Sequence, residues 1–361
     1  MKKNILVVDD SALMRRVISD IIESDIRFAV KDVAKNGVDA LELITKNYRI
    51  YDAVLLDINM PYMDGLEVLR HLREKRISIK VIVVSSLVKE GAKETILALE
   101  NGAFDFLTKP ENYTEVKSER FKKGIINALC AACDIKDFNT SKTDNPIRKP
   151  KNDRSAGSVL PDKGCRKLVA IACSTGGPKS LKEVIPKLSP NLDAPVLIVQ
   201  HMPVGFTKSL ADRLDDLSLI KVREGAEGDI LKKGCVYIAP GGKHLKVKEE
   251  LGKGFVITLS DEPPREGVKP CANIMYESIA GLSFDRVICV VLTGMGTDGT
   301  DGIKMLESKN KIHVIAQDEK TSVVYGMPKA VATAGLADEI LPLDNIAEAI
   351  IKNTGVLNNG C

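Results

Sequence analysis

Three carboxylates and a lysine stand at the ends of short apolar runs in the first third of the chain. Asp9 and Asp10 follow Ile5–Val8, Asp57 follows Ala53–Leu56, and Lys109 follows Phe104–Leu107. If these runs are neighbouring parallel strands, their carboxyl ends gather the four groups in one place. Clustered carboxylates repel unless a cation sits among them, and oxygen-only ligands suit Mg²⁺. A hard cation beside Asp57 would neutralise charge building up during in-line phosphoryl transfer. Ser85, ending a further run at Val81–Val84, could then hydrogen-bond the phosphate. Any one of these acids is explained by the ordinary preference of Asp for strand ends and turns; the constellation at four strand ends is not.

A second set of groups lies beyond residue 165. The apolar run Leu168–Ala172 leads into Cys-Ser-Thr-Gly-Gly-Pro at 173–178, which puts Ser174 on a strand-to-helix turn. Gly176 and Gly177 permit tight backbone geometry, Pro178 suits a first helical position, and a helix N-terminus offers N–H groups and a positive dipole end. Taken alone, Ser174 reads better as a helix N-cap than as a nucleophile. A nucleophilic serine needs a base, and there are four histidines. His71 lies in a helical stretch and His313 begins a strand. His201 and His244 both follow strand-like runs, and spacing does not separate them. Asp298 and Asp301 are equal candidates for the orienting carboxylate, both following Val287–Leu292. The same loop, Gly294-Met-Gly-Thr-Asp-Gly299, matches the dinucleotide fingerprint G-x-G-x-x-G after a strand, with Asp318 at a suitable distance. A nucleotide-binding domain is thus the alternative from another class. It is weakened because the loop comes late in its domain and leaves the Ser174 turn unexplained.

The elements that must position these residues alternate strand and helix. Over residues 4–130 five apolar runs, the second being Phe28–Val33, are separated by amphipathic stretches such as Ala12–Ile22 and Gly65–Arg73. That pattern predicts a parallel sheet covered on both faces. Between about 134 and 163 it gives way to Lys, Asp, Asn, Ser and Pro, the composition of a mobile linker. Alternation then resumes at Leu168–Ala172, Pro195–Val199, Val236–Ala239, Phe255–Leu259, Val287–Leu292 and His313–Ala316. The expected organisation is a domain at 1–130, a polar linker at 131–163 and a second, mostly parallel α/β domain at 164–361. A length of 361 residues suits two cores. A net charge of +3 supports neither a nucleic-acid nor a membrane partner. The first apolar run is too short for a signal peptide or a membrane span, so a cytoplasmic protein is expected. The eight scattered cysteines read as reduced thiols. Cys130 and Cys133, a lone C-x-x-C, read as small residues on a last helical turn rather than as zinc ligands.

Two resemblances follow from longer motifs. Val-Asp-Asp-Ser (8–11), Leu-Asp-Ile-Asn-Met-Pro-Tyr-Met-Asp-Gly (56–65), Val-Ser-Ser (84–86) and Thr-Lys-Pro (108–110) make the first domain resemble a flavodoxin-like response-regulator receiver with a five-stranded parallel sheet. The resemblance implies phosphorylation of Asp57. It implies Mg²⁺ held by Asp10, Asp57 and the backbone carbonyl of Asn59, with Asp9 assisting through water. It also implies a switch through Ser85, Phe106 and Lys109, and a cis bond before Pro110. Residues 165–355 resemble the catalytic domain of the chemotaxis protein-glutamate methylesterase (CheB) family, a doubly wound, mostly parallel α/β hydrolase. The stretches concerned are Ser-Thr-Gly-Gly-Pro (174–178), Gln-His-Met-Pro-Val-Gly-Phe-Thr-Lys-Ser-Leu-Ala (200–211), Ala-Pro-Gly-Gly-Lys-His (239–244), Leu-Thr-Gly-Met-Gly-Thr-Asp-Gly (292–299) and 317–328. This resemblance implies Ser174 as nucleophile, His201 as base, Asp298 as its orienting carboxylate, and Thr175 and Met295 at the oxyanion. It implies hydrolysis of glutamyl methyl esters, and deamidation of glutamines, on the cytoplasmic helices of methyl-accepting chemoreceptors. A chemotaxis histidine kinase would be the phosphodonor, phosphorylation would activate, and the hydrolase would need no cofactor. The chain departs from the family at Pro270-Cys-Ala-Asn, usually Pro-Ser-Val-Asp, and at Cys173, which leaves substrate contacts and local packing open.

Overall fold

The computed structural model describes residues 2–85, 89–110, 118–135 and 166–357. The chain divides into two compact units, Met1–Lys142 and Thr143–Cys361. The linker expected at 131–163 lies almost wholly outside the described residues, as does Ser86 of the Val-Ser-Ser motif.

The first unit is a five-stranded sheet, β1 (Lys3–Val8), β2 (Phe28–Ala34), β3 (Ala53–Asp57), β4 (Lys80–Ser85) and β5 (Asp105–Thr108). All pairings are parallel, in the order β2-β1-β3-β4-β5. The helices are α1 (Ala12–Glu23), α2 (Gly37–Asn47), α3 (Gly65–Glu74), α4 (Lys89–Glu100) and α5 (Glu119–Ala132). The central strands are apolar throughout because helices cover both faces; Ile5–Val8 and Ala53–Leu56 are all buried. Local capping starts the helices where the sequence says it should. Ser11 accepts from Met14 N, and Asp64 and Glu67 form a reciprocal capping box at α3. Cys130 and Cys133 do sit at the last turn of α5, the first buried and the second its C-cap.

The second unit is built on seven strands. They are β6 (Lys167–Cys173), β7 (Val196–Gln200), β8 (Lys221–Glu224), β9 (Cys235–Ile238), β12 (Arg286–Val291), β13 (Ile312–Gln317) and β14 (Glu339–Leu341). Every pairing is parallel, in the order β14-β13-β12-β6-β7-β9-β8. The helices are α6 (Gly177–Val184), α7 (Phe206–Leu217), α8 (Ala272–Ile279), α9 (Thr300–Glu307), α10 (Met327–Thr333) and α11 (Leu343–Thr354). From β6 the chain moves first to one side, through β7, and returns late to the other, at β12. The crevice where such a sheet reverses direction is therefore at the carboxyl end of β6. Its core is Leu168, Ala170, Ala172, Leu197, Val199, Val287, Cys289 and Val291 with the facing helices, and each fully buried Val or Leu contributes about 1.5–3 kcal/mol. Tyr276 ties α8 to that core, its hydroxyl donating to Ala170 O at 3.1 Å.

One strand-like run falls elsewhere. Phe255–Leu259 belongs to β11 (Gly254–Ser260), which pairs antiparallel with β10 (His244–Glu250) in a separate two-stranded sheet. Only Leu251, Gly252 and Lys253 join them, with Gly252 at φ 79°, and so short a link allows a hairpin but not a parallel crossover. Among the described residues, no helix is long and apolar enough to cross a membrane.

Candidate active site

In the first unit the topology brings the acids together. Asp9, Asp10 and Asp57 have carboxylate oxygens all within 4.8 Å of one another. Lys109 Nζ lies 2.8 Å from Asp9 Oδ2 and 2.6 Å from Asp57 Oδ2. Burial pushes Asp57 up to about 6 even though Lys109 and the Asn59 N–H favour its charged form. Burial pulls Lys109 down, but Asp57 and Asp9 outweigh it and leave the amine raised. Asp9 Oδ2 is buried without a well-directed hydrogen bond, its charge balanced by the lysine. Oxygen donors, one of them incompletely bonded, fit a hard divalent cation such as Mg²⁺. Ser85 ends β4 and Phe106 lies in β5 at half burial; Ser85 Oγ donates to Gly91 O at 3.1 Å. The cis bond expected before Pro110 is absent; the cis peptide of the described residues is Lys269–Pro270. Either isomer is within about 1 kcal/mol for an X–Pro bond, so local packing decides.

In the second unit, β6 ends at Cys173, paired in register with Gln200 at the end of β7. Ser174 and His201 are the next residues on these adjacent strands, and His201 N donates to Cys173 O at 3.2 Å. Ser174 is half-buried. The N-cap of α6 is Gly176 at φ 78°, not the serine, so the plain N-cap reading of Ser174 fails. Its backbone is held on every side. Ser174 N donates to Thr293 O at 3.0 Å, and Ser174 O accepts from Gly177 N at 2.7 Å and Gln200 Nε2 at 3.1 Å. A β-carbon at Gly176 would sit 2.5 Å from Val323 Cβ, so glycine is demanded there by space as well as by φ.

His201 Nε2 lies 2.7 Å from Asp298 Oδ2, and the side chains are only 10% and 4% exposed. Asp298 also accepts from Ala272 N (2.6 Å), Asn273 N (2.8 Å) and Cys271 Sγ (3.1 Å). It thereby caps the start of α8, whose own N-cap residue Cys271 makes no side-chain cap. Burial alone would raise this carboxyl, but the His201 bond and charge and the two N–H groups bring it down to about 2. Burial likewise raises the Cys271 thiol to about 12, and the Asp298 charge adds to it, so Cys271 stays a donor. Nε2 of His201 is engaged by Asp298, so the ring's other nitrogen, Nδ1, is the one not committed to that carboxylate.

The members of the two open pairs, His201 and His244, Asp298 and Asp301, have different surroundings. Asp301 is exposed on α9 and pairs with Lys304 at 3.0 Å. His244 is fully buried, with Nε2 3.1 Å from Pro263 O and Nδ1 unpartnered. His313 pairs with Glu339, and His71 lies 3.4 Å from Glu74. Thr175 and Met295 are half-buried beside Ser174 and in the loop after β12. The glycine-rich loop is committed inward. A β-carbon at Gly294 would sit 2.8 Å from Ser174 Cβ, and Gly299 N and Gly302 N donate to Asn273 Oδ1 at 3.0 and 2.7 Å. The N–H groups at the two ends of the loop, those of Gly294 and Gly299, are thus spent on Val324 O and Asn273 Oδ1, which weakens the dinucleotide reading. Cys271 and Asn273 stand in the sequence only as part of the departure at Pro270-Cys-Ala-Asn, Gln200 and Thr293 only within longer motifs, and none of the four is assigned a role there. The signal for Gln200 was available: an amide closing an otherwise apolar, buried strand must be bonded to something.

Comparison with known proteins shows relatives of both units. Residues 169–350 match the CheB methylesterase family and residues 5–119 the response regulator receiver domain. A protein-glutamate methylesterase/protein-glutamine glutaminase of Pyrococcus horikoshii is 43% identical over 99% of this chain and 95% of its own. The protein of the same name from Bacillus subtilis is 41% identical over 96% of this chain and 97% of its own. The crystal structure of the Thermotoga maritima CheB methylesterase catalytic domain is 44% identical, with a TM-score of 0.50, covering 52% of this chain and 98% of that one.

Proposed function

Because the chain belongs to the CheB methylesterase family and carries a response regulator receiver domain, we propose that it hydrolyses glutamyl methyl esters on chemoreceptors by serine catalysis, under control of Asp57 phosphorylation. The observation that carries the catalytic part is the 2.7 Å His201–Asp298 pair one register step from a strand-end serine at the sheet's reversal point.

Ser174 Oγ attacks the ester carbonyl while His201 Nδ1 takes its proton. The charge that develops on the carbonyl oxygen is received at Thr175 and Met295, beside the N-terminus of α6. The C–OCH₃ bond then breaks, and the imidazolium returns the proton to the departing methoxide, giving methanol. Water, deprotonated by the same histidine, attacks the acyl-serine; Ser174 recovers its proton and glutamate is released. With a glutamine substrate the leaving group is ammonia, and His201 protonates it in the same way. Asp298 keeps its charge throughout, fixing the tautomer.

In the receiver, Asp10, Asp57 and the Asn59 carbonyl would hold Mg²⁺, with Asp9 behind them; the ion supplies charge neutralisation for transfer from a histidine kinase. Lys109 and Ser85 then meet the phosphoryl oxygens, and Phe106 reports the change, shifting the population of active enzyme.

The test is methanol release from methylated chemoreceptor membranes with and without a small-molecule phosphodonor and Mg²⁺. Ser174→Ala should release none. Asp57→Ala should keep the basal rate and ignore the phosphodonor. Release by folded Ser174→Ala would end the serine mechanism, and stimulation of Asp57→Ala would end the assignment of the phosphoacceptor.

A further inference from the structure

Asn273 is 1% exposed and lies in the first turn of α8. Its backbone N–H donates to Asp298 Oδ1 at 2.8 Å. Its side-chain oxygen accepts from Gly299 N at 3.0 Å and Gly302 N at 2.7 Å. These two N–H groups belong to the start of α9, where the first turn has no intrahelical partners. The side-chain amide donates to Glu266 Oε1 at 3.1 Å. The amide is therefore oriented from both ends, two donors facing its oxygen and a carboxylate facing its nitrogen. The close approach depends on glycine: a β-carbon at Gly302 would sit 2.7 Å from Asn273 O and 2.8 Å from Tyr276 Cβ.

One residue thus grips the carboxylate through its main chain and the helix following that carboxylate through its side chain. Asp298 immediately precedes Gly299, so whatever holds Gly299 and Gly302 also fixes the direction in which Asp298 leaves the loop. We propose that Asn273 is a positioning residue for the esterase reaction, clamping the starts of α8 and α9 so that Asp298 is held on His201 Nε2. This rests on the reading of Ser174, His201 and Asp298 as the reacting set. Asn273 is placed to act on turnover rather than on substrate affinity, because its own contacts are spent on the protein.

The clamp is tested in the full chain with Asn273→Ala and Asn273→Asp. Alanine removes the acceptor of both N–H groups. Aspartate keeps an acceptor there, gives up the donor to Glu266 and turns a second carboxylate oxygen toward it, a repulsion screened because Glu266 is exposed. For Asn273→Ala, kcat on methylated receptor membranes should fall about 10- to 100-fold, the scale of a misplacement near 1 Å, with KM changed less than about twofold. Asn273→Asp should recover most of kcat. Independently of activity, the far-downfield imidazole N–H proton of His201, assigned by its loss in His201→Gln, should vanish or broaden in Asn273→Ala and persist in Asn273→Asp. If Asn273→Ala does not fold, Asn273→Ser, too short to reach both N–H groups, is read in its place. A folded alanine variant with unchanged kcat and proton signal overturns the proposal, as does an aspartate variant equally damaged. Activity in Ser174→Ala would instead overturn the reacting set, while the proton signal still judges the clamp.

Discussion

Replacing Asp298 by asparagine removes a charge that its surroundings are arranged to hold. Its carboxyl falls from the ordinary 3.8 to about 2 in the folded protein. At about 1.36 kcal/mol per pH unit, the fold favours the ionised form by roughly 2–3 kcal/mol relative to the unfolded chain. Asparagine loses that and adds a conflict. Oδ2 accepts from Ala272 N and faces His201 Nε2, while Oδ1 accepts from Asn273 N and Cys271 Sγ. Whichever way the amide turns, its NH₂ meets a backbone N–H, and a buried donor left unpaired costs about 1–3 kcal/mol. The expected destabilisation near pH 7 is therefore roughly 3–5 kcal/mol, or on the order of 10 °C in the melting of a domain of this size. Scanning calorimetry of the full chain reads it directly. The sign with pH follows from the direction of the shift. A depressed carboxyl contributes fully above its unfolded value and loses that contribution as pH falls through its folded one. The gap between wild type and Asp298→Asn should thus narrow by about 1 kcal/mol on going to about pH 3. A gap of unchanged size on acidification would refute the charge argument, and one below about 1 kcal/mol at pH 7 would refute the donor conflict.

Two further substitutions separate neighbours that look alike in sequence. His201→Ala should lower kcat by about 10³-fold or more with a modest change in melting, whereas His244→Ala should melt early and turn over nearly normally; steady-state methanol release and calorimetry on both decide it, and equal rate losses would reassign the base. Gly294→Ala drives a methyl to 2.5 Å from Met327 Sδ and 2.8 Å from Ser174 Cβ, so it should cost about 1–3 kcal/mol and most of the activity. A variant with normal kcat would mean that the loop does not set the position of Ser174.

The parallel sheets were legible because central strands buried on both faces carry unbroken apolar runs; β6, β7 and β12 are of this kind. Strands at edges or half in solvent were read unevenly: β2 and β5, the edges of the first sheet, were found, whereas β8 and β10 were not. β8 reads Lys-Val-Arg-Glu and β10 reads His-Leu-Lys-Val-Lys-Glu-Glu, charges that suit an exposed edge or face and hide the strand from a search for apolar residues. The site divides along a similar line. Residues that follow directly on a strand announce themselves by position, as Ser174 and His201 do, whereas Asp298 lies in the loop between β12 and α9. The groups that hold them act through main-chain N–H or through a single amide, as Ala272 and Asn273 do, and a backbone donor leaves no mark on residue type. Choosing between Asp298 and Asp301, three residues apart, needed the direction in which the loop turns, which spacing does not contain.

The placement of β6 between β7 and β12 also bears on how the enzyme comes into being during synthesis. The serine strand is among the first of its unit to leave the ribosome, yet one of its two neighbours is β12, made more than a hundred residues later. His201 and Asp298 are separated by 97 positions, and the donors at 271–273 arrive in between. No truncated or half-made chain ending before about residue 300 holds all of these atoms. Under the proposed mechanism, hydrolytic competence is consequently a property of the finished unit, and a nascent chain that ends early carries Ser174 without the His201–Asp298 pair.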